Sequence, residues 1–414
     1  MISLKNEGFK GQMSFEALLF GVNMSNNRRN SLECFILGVM VTILVLLMCH
    51  FVDTTFLQGR GDTSPESRTA RAKVEEIDDL IEQEYLFEAD EDDLSQGMYA
   101  GLVDGIGDKY SRYYTKEEYE SVQQSNEGHY EGIGIVMMQD KDSGMVQVAH
   151  CYEGSPAEEA GILEGDIIYK VGDTMVADKE LSEVSQVIKD SGDRVIHLTV
   201  YRQSEKKYIE VALEKAEIEI PAVSYQILED GVGYIAIYQF TAVVPEQFQK
   251  ACQQLKEQGM DRLIVDLRDN PGGLLTSVCD TLNSFMPKGL MVYTEDKNGN
   301  RTEHFSEGET PLDIPLAVLV NQNSASSSEI FAGAVKDYGV GTLVGTTTYG
   351  KGIVQKTFGL NDGSVVKLTV SSYYTPNGIN IHGTGIEPDV EVEQPEEATE
   401  DLQLQAALEL IRKE

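Results

Sequence analysis

The sequence predicts a multidomain protein of mixed α/β and β class, preceded by a single transmembrane helix. Three observations predict it: an apolar run near the N-terminus, short β-rich pieces over 118–215, and strand and helix patterns that alternate past Pro221. The 414 residues leave room for two to three domains at about 150 residues each. Hydrophobic residues make up 41% and charged ones 25%, a globular balance that excludes wholesale disorder and a polytopic membrane protein. Acidic residues outnumber basic ones 69 to 33, for a formal charge of −36, and such a surface repels nucleic-acid phosphates and anionic headgroups. No nucleic-acid partner is expected.

Residues 1–31 carry Lys5, Lys10, Arg28 and Arg29 against Glu7 and Glu16, and form a cytoplasmic N-terminal segment. From Cys34 to Val52 the chain reads CFILGVMVTILVLLMCHFV, apolar but for Thr42, His50 and two thiols, and this is enough helix to cross a hydrocarbon core. A transmembrane helix is expected over 32–52. A cleaved signal peptide is the alternative, but it has a shorter apolar stretch and a small-x-small exit, which His50-Phe51-Val52-Asp53 lacks. Arg28-Arg29 before the helix keeps the N-terminus inside and sends the rest outward. The expected location is the cell membrane, single-pass, with the body extracytoplasmic.

Residues 53–67 read as a linker. Within 68–117, Val74, Ile77, Leu80, Ile81 and Tyr85 recur at helical spacing among acidic residues, and a second helix is expected near 94–103. Over 118–215 the pieces GIGIVMM, MVQVAHC, DIIYKV and VIHLTVY predict a compact β-rich module with one helix at 181–191. Over 216–394 the order is strand GYIAIYQF, helix 245–258, strand LIVDLR, a helix from Leu274, strand PLAVLVN, a helix from Ser326 and strand GTLVG, which predicts a largely parallel sheet. β-rich segments return at 364–374, and 395–414 close with an acidic loop and a helix at 402–411.

Cys34 and Cys49 lie in the apolar run, while Cys151, Cys252 and Cys279 are far apart without a CxxC, so spacing indicates neither a disulfide framework nor zinc. The six histidines are scattered. No metal and no cofactor is indicated.

Three stretches carry candidate chemistry. In NQNSASSSEIFAGAVKDYG (321–339) a strand ends and a helix begins near Ser326, where helix N–H groups favour the negative charge of an acyl-transfer intermediate. Ser326-x-x-Glu329 is equally a capping box. In GTTTYGKGIVQ (345–355), Gly345, Gly350 and Lys351 fall at P-loop spacing, but Gly352 replaces the Ser or Thr and the following chain reads as extended, so nucleotide binding is not supported. Lys351 between two glycines suits either a desolvated basic amine or a solvated loop lysine. In DLRDNPGGLL (266–275), Gly272 and Gly273 offer backbone amides at the carboxyl end of a sheet, as oxyanion donors or as a plain turn.

Together these stretches resemble the carboxyl-terminal processing proteases, also called tail-specific proteases. The resemblance covers 70–414: GMYAGLVDGIGDKYSRYYTKEE (97–118), GIGIVM with GSPAEEAGILEGDIIYKVGD, then LIVDLRDNPGG, NSASSSEI, YGKGIVQ and YYTPNGINIHGTGIEPDV follow in family order. It implies a crotonase-like α/β protease core with an inserted PDZ domain, and a serine endopeptidase working by a Ser-Lys dyad. Carried across by position, it makes Ser326 the nucleophile, Lys351 the general base and Gln355 the group that positions it. The implied oxyanion donors are the N–H groups of Gly272 and Ser327. Family members usually have alanine in place of Ser327 and often glycine in place of Asn323; a backbone donor is indifferent to its own side chain.

The resemblance also implies that Gly132-Ile133-Gly134-Ile135 forms the carboxylate loop of the PDZ domain, its N–H groups receiving a C-terminus and Ile133 and Ile135 lining an apolar pocket. Without it, GIGI is a glycine-interrupted strand. The implied partners are proteins or peptides with free, apolar C-termini, and a second copy of the chain in a homodimer. A catalytically silent PDZ scaffold is the rival reading, and the intact Ser326, Lys351 and Gln355 speak against it.

Overall fold

The computed structural model describes residues 65–141, 143–192, 194–395 and 397–413. The apolar run at 34–52 lies outside them, and among the described residues no helix is long and apolar enough to cross a membrane. Helix α1 (Pro65–Glu84) belongs to a separate unit from the body, residues 92–414. Its stripe Val74, Ile77 and Leu80 is 45 to 55% exposed, so the amphipathic pattern forms the helix but buries little.

The body opens with α2 (Glu91–Asp104), β1 (Arg112–Tyr114) and α3 (Lys116–Glu127). Helix α3 starts where Thr115 Oγ1 accepts the Glu118 N–H and the Glu118 carboxylate accepts the Thr115 N–H, and stops at Gly128, whose φ of 76° few other residues tolerate. Strand β2 (His129–Gly132) follows.

The β-rich module comprises β3 (Ile135–Gln139), β4 (Val146–Cys151), the single turn α4 (Pro156–Glu159), β5 (Ile167–Val171), β6 (Thr174–Met175), α5 (Leu181–Asp190), β7 (Val195–Arg202) and β8 (Lys207–Glu214). Its antiparallel sheet runs β3-β4-β5-β7-β8, with β6 beside β5, around a core that includes Val146, Val148, Ile168, Val184, Leu198 and Val200. Arg202 and Asp166 form a buried bidentate pair at 2.8 and 2.7 Å. Strand β9 (Ala216–Glu219) then returns to pair with β2. Entry and exit thus lie side by side in one ribbon, the geometry an insertion needs. Helix α3, which the sequence reading placed inside the module, precedes this ribbon.

In the α/β part, β10 (Val223–Ile227), β11 (Val232–Ile237), α6 (Val244–Glu257), β12 (Arg262–Asp266) and α7 (Leu275–Asn283) are followed by the hairpin β13 (Gly289–Asp296) and β14 (Arg301–Ser306). Then come β15 (Leu316–Val320), α8 (Ser327–Tyr338), β16 (Thr342–Gly345), β17 (Ile353–Gly359), β18 (Val365–Tyr374), β19 (Val390–Glu391) and α9 (Leu402–Ile411). The main sheet has the order β10-β11-β12-β15-β16-β19, parallel throughout except for β10. Each crossover advances the sheet in the same direction, and right-handed crossovers then put their helices on one face. Accordingly α6, α7 and α8 share one core with Leu263, Val265, Leu316, Val318 and Leu343. The alternate residues Ile264, Ala317, Leu319 and Val344 face Ala407 and Ile411 of α9.

A second, antiparallel sheet, β1-β18-β13-β14 with β17 also on β18, was legible only in part. Strand β14 (RTEHFS) is polar enough to read as loop, whereas β13 (GLMVYTED) carries the apolar run LMVY and was given no element in the sequence reading. Through β18 this sheet carries the segment just before β1 to the vicinity of the loop 346–352.

Candidate active site

Strands β12, β15 and β16 are neighbours, so the loops leaving their carboxyl ends, 267–274, 321–326 and 346–352, converge at one edge of the sheet. These are the three stretches that the sequence singled out. Asn270, wholly buried, ties the first two together: its Nδ2 donates to Ile237 O at 2.8 Å, and its carbonyl accepts from Ala325 N–H and from Ser328 Oγ, each at 3.0 Å.

The hydroxyls near the start of α8 separate cleanly. Ser324 Oγ donates to Leu267 O at 2.7 Å, Ser327 Oγ to Gly273 O at 3.0 Å and Ser328 Oγ to Asn270 O. All three are buried and spent on backbone carbonyls. Ser326 alone of the four is partly exposed: its hydroxyl donates to no backbone carbonyl, and it completes a capping box in which its side chain faces the Glu329 N–H while the Glu329 carboxylate accepts the Ser326 N–H. Its backbone sits at φ 55°, ψ −113°, a strained conformation for a residue with a Cβ. Such strain at a strand-to-helix turn thrusts the hydroxyl outward. The next N–H, that of Ser327, has no hydrogen-bond acceptor among the described residues.

What holds Ser326 is Glu329, a residue whose role the sequence reading limited to capping. Its carboxylate is 0% exposed and makes no ion pair among the described residues. Oε2 accepts the N–H of Ser326 and the N–H of Lys351, both at 2.8 Å, while Oε1 accepts from Thr348 Oγ1 and from the Gly350 N–H, both at 2.7 Å. One carboxylate therefore joins the two loops that carry the candidate nucleophile and base. A signal existed: Glu329 is set among Ser328, Ile330, Phe331 and Ala332 on a helix start with no polar face, which makes a buried carboxylate the expectation.

Lys351 is half-buried. Burial first, and the like charge of Lys367 second, push its pKa below the usual lysine value, against the opposing pull of Tyr349, Asp108 and Glu329. No hydrogen bond joins its Nζ to Ser326 Oγ; it lies 4.7 Å from the centroid of the Tyr110 ring. The expected bond from Gln355 to Lys351 is not present either, because Gln355 Nε2 donates to Thr369 Oγ1 at 3.3 Å. Gly272 also differs from expectation: its N–H is taken by Asn270 Oδ1 at 2.8 Å, though its backbone does lie against the site. A Cβ on Gly272 would stand 2.7 Å from Ala325 O and 2.9 Å from Ser327 N, and φ is 100°, so glycine is required there. Catalytic contacts in unliganded enzymes commonly tighten only on substrate binding. The P-loop-like spacing leads into strand β17 rather than a helix, so no helix terminus waits there for phosphates.

Residues 231–392 match the family model described as Peptidase family S41, and residues 147–202 that of the PDZ domain. The probable CtpA-like serine protease of Staphylococcus aureus (strain COL) is 34% identical over 361 residues, covering 86% of this chain and 71% of its own. This chain belongs to peptidase family S41. More narrowly, it falls with the carboxyl-terminal processing serine proteases that carry a PDZ domain, and it is a serine-type peptidase. The corresponding protein of Staphylococcus epidermidis (strain ATCC 12228 / FDA PCI 1200) is 32% identical over 365 residues, covering 87% of this chain and 73% of its own. Among solved structures, the photosystem II D1 C-terminal processing protease aligns at a TM-score of 0.47 and 26% identity, over 81% of this chain and 90% of that one.

In the PDZ domain, β3 is the edge strand of its sheet, and α5 packs beside it. Ile135 and Met137 of β3 and Leu181, Val187 and Ile188 of α5 pack against the core but are only partly buried, so apolar surface remains exposed along this edge. The expected carboxylate loop is narrower than the four residues Gly132 to Ile135. Gly132 is paired with Ala216 in the ribbon, and Ile133, 3% exposed, points into the core of the domain rather than lining a pocket. Gly134 makes the turn, at φ 77° and with its Cβ position 2.2 Å from Ser155 Cβ.

Proposed function

We propose that this S41 peptidase is anchored in the cell membrane by one helix at 32–52, acts outside the cytoplasm, binds protein C-termini at its PDZ domain and cleaves through Ser326 and Lys351. The observation that carries the dyad is the fate of the hydroxyls: three of the four serines donate to backbone carbonyls, while Ser326 donates to none, sits on a strained backbone and is followed by a bare N–H. Lys351, its charge disfavoured by burial, comes off the Tyr110 face and takes the Ser326 proton; Gln355 turns from Thr369 to hold it. The alkoxide attacks the peptide carbonyl, and the oxyanion is received by Ser327 N–H and by Gly272 N–H once that amide leaves Asn270 Oδ1. The lysine returns the proton to the leaving amine, and water then releases the acyl group.

Recognition of a free C-terminus rests on the Gly134 turn and the exposed apolar edge formed by β3 and α5. An apolar final side chain suits Ile135, Met137 and Leu181. Anchoring rests on the nineteen apolar residues after Arg28-Arg29, and the bare stripe of α1 supports a homodimer through that helix. The test is a serine panel. Ser326→Ala and Lys351→Ala should each lower peptide hydrolysis by about 10³-fold or more, with the circular dichroism spectrum retained. Ser324→Ala, Ser327→Ala and Ser328→Ala should keep measurable turnover. Wild-type turnover in Ser326→Ala would overturn the assignment, and a mature N-terminus near Asp53 would replace the anchor by a signal peptide.

A further inference from the structure

We propose that Tyr110 is a positioning residue for Lys351: its ring face seats the lysine in the ammonium form, apart from Ser326, and lets go of the neutral amine. The inference rests on the dyad reading above. Lys351 Nζ lies 4.7 Å from the Tyr110 centroid, and among the described residues neither a hydrogen bond nor a carboxylate ion pair reaches that nitrogen. Among the described residues, Tyr110 is the one ring against which that nitrogen lies. An aromatic face attracts a cation through its quadrupole and has little hold on a neutral amine. A general base has to be neutral. One and the same proton loss therefore activates the lysine and frees it to reach Ser326 Oγ.

The ring is held in place from both sides of its own segment. The Asp108 carboxylate accepts the Tyr110 N–H at 3.0 Å and the Ser111 hydroxyl at 2.7 Å, and Ser111 Oγ accepts the Thr369 N–H of β18 at 3.1 Å. Lys109 Nζ lies 4.8 Å from the same ring and donates to the Tyr349 hydroxyl at 2.8 Å, two residues before Lys351. The turn before β1 and the loop bearing the base are thereby clipped together. This accounts for the Asp-x-Tyr-Ser motif, to which the proposed chemistry gives no other work.

The other charged and titratable groups around Lys351 are Lys367 on β18, Asp108 and Lys109 beside Tyr110, Tyr349 on its own loop, Glu329 on α8 and His382 against Gly352. Replacing Tyr110 keeps all of these groups but drops the hydrogen bonds that its hydroxyl makes with Lys109 and Tyr349, a loss that a phenylalanine and a leucine variant share. Two variants isolate the ring face: Tyr110→Leu keeps apolar bulk without a π face, and Tyr110→Phe keeps the face without the hydroxyl. The acid limb of kcat/KM against pH should stay at its wild-type position in Tyr110→Phe. In Tyr110→Leu it should move down by about 0.5 to 1 pH unit, because the ammonium loses a stabilisation of the size usual for a half-buried cation–π contact.

The same shift should appear without catalysis, in the pH dependence of Lys351 acetylation measured by mass spectrometry on Ser326→Ala protein with and without Tyr110→Leu. Should Tyr110→Leu not fold, 3,4,5-trifluorophenylalanine at position 110 keeps the shape and weakens the face, and should move the limb in the same direction. Superimposable profiles, equal shifts in the Phe and Leu variants, or an upward shift would overturn the proposal. Activity retained in Lys351→Ala would instead sink the dyad, while the acetylation profile would still report whether the ring seats the ammonium.

Discussion

Glu329→Gln puts the clasp between Ser326 and Lys351, the proposed nucleophile and base, to the test. The wild-type carboxylate is wholly buried and accepts four hydrogen bonds, from the N–H groups of Ser326, Gly350 and Lys351 and from Thr348 Oγ1, at 2.7 to 2.8 Å. An amide has the same shape but only one oxygen. With that oxygen toward Ser326 and Lys351, its NH2 can donate to a re-turned Thr348 hydroxyl but confronts the Gly350 N–H, leaving one buried donor orphaned. The opposite orientation orphans two. An orphaned buried donor costs about 1–3 kcal/mol, and bonds to a neutral acceptor are about half as strong as those to a carboxylate, so the first orientation wins at a loss of about 2–4 kcal/mol. Gly350 is then expected to pull away and shift the loop that carries Lys351. A misplacement of about 1 Å between reacting groups costs about 10²-fold in rate. Urea unfolding followed by circular dichroism and kcat/KM on a peptide measure the two effects. A variant with an unchanged midpoint and kcat/KM within twofold of wild type would refute the clasp.

Lys367→Gln removes the like charge that helps to hold the pKa of Lys351 down, so that pKa rises and the acid limb of kcat/KM moves to higher pH; a limb that stays or falls would contradict this. Ser326→Ala protein titrated calorimetrically with matched peptides should bind the free acid more tightly than the C-terminal amide by about 1–3 kcal/mol, and equal affinities would rule out C-terminus reading. Asp166→Ala takes the bidentate partner from Arg202 and leaves it Glu205 and the Gly161 carbonyl, and should destabilise the PDZ domain by about 1–3 kcal/mol. Amide exchange of β5 and β7 reports that loss, and unaltered protection would show the pair to be dispensable.

Much of this protein was decided locally and is legible in one dimension. Helix α9 falls on its predicted 402–411, and the buried strands LIVDLR, PLAVLVN and GTLVG come out as β12, β15 and β16, because long apolar runs bounded by turn residues leave few alternatives. The three chemical stretches were visible as well, since Asn-Pro-Gly-Gly, a run of serines and Gly-Lys-Gly are unusual as sequence. Tertiary structure alone decided which serine donates to no carbonyl, because each of the other three hydroxyls is claimed by one tens of residues away: Leu267 for Ser324, Gly273 for Ser327, Asn270 for Ser328. It also turned Glu329 from a helix cap into a link with residues 348–351, moved Ile133 from the expected pocket into the core, and turned Gln355 and the Gly272 amide toward Thr369 and Asn270. Hydrophobic periodicity is a property of neighbours three or four places along the chain, whereas hydrogen-bond partners and the face a charge meets are set by strand order, and strand order brings Tyr110 to Lys351 across 241 positions of sequence.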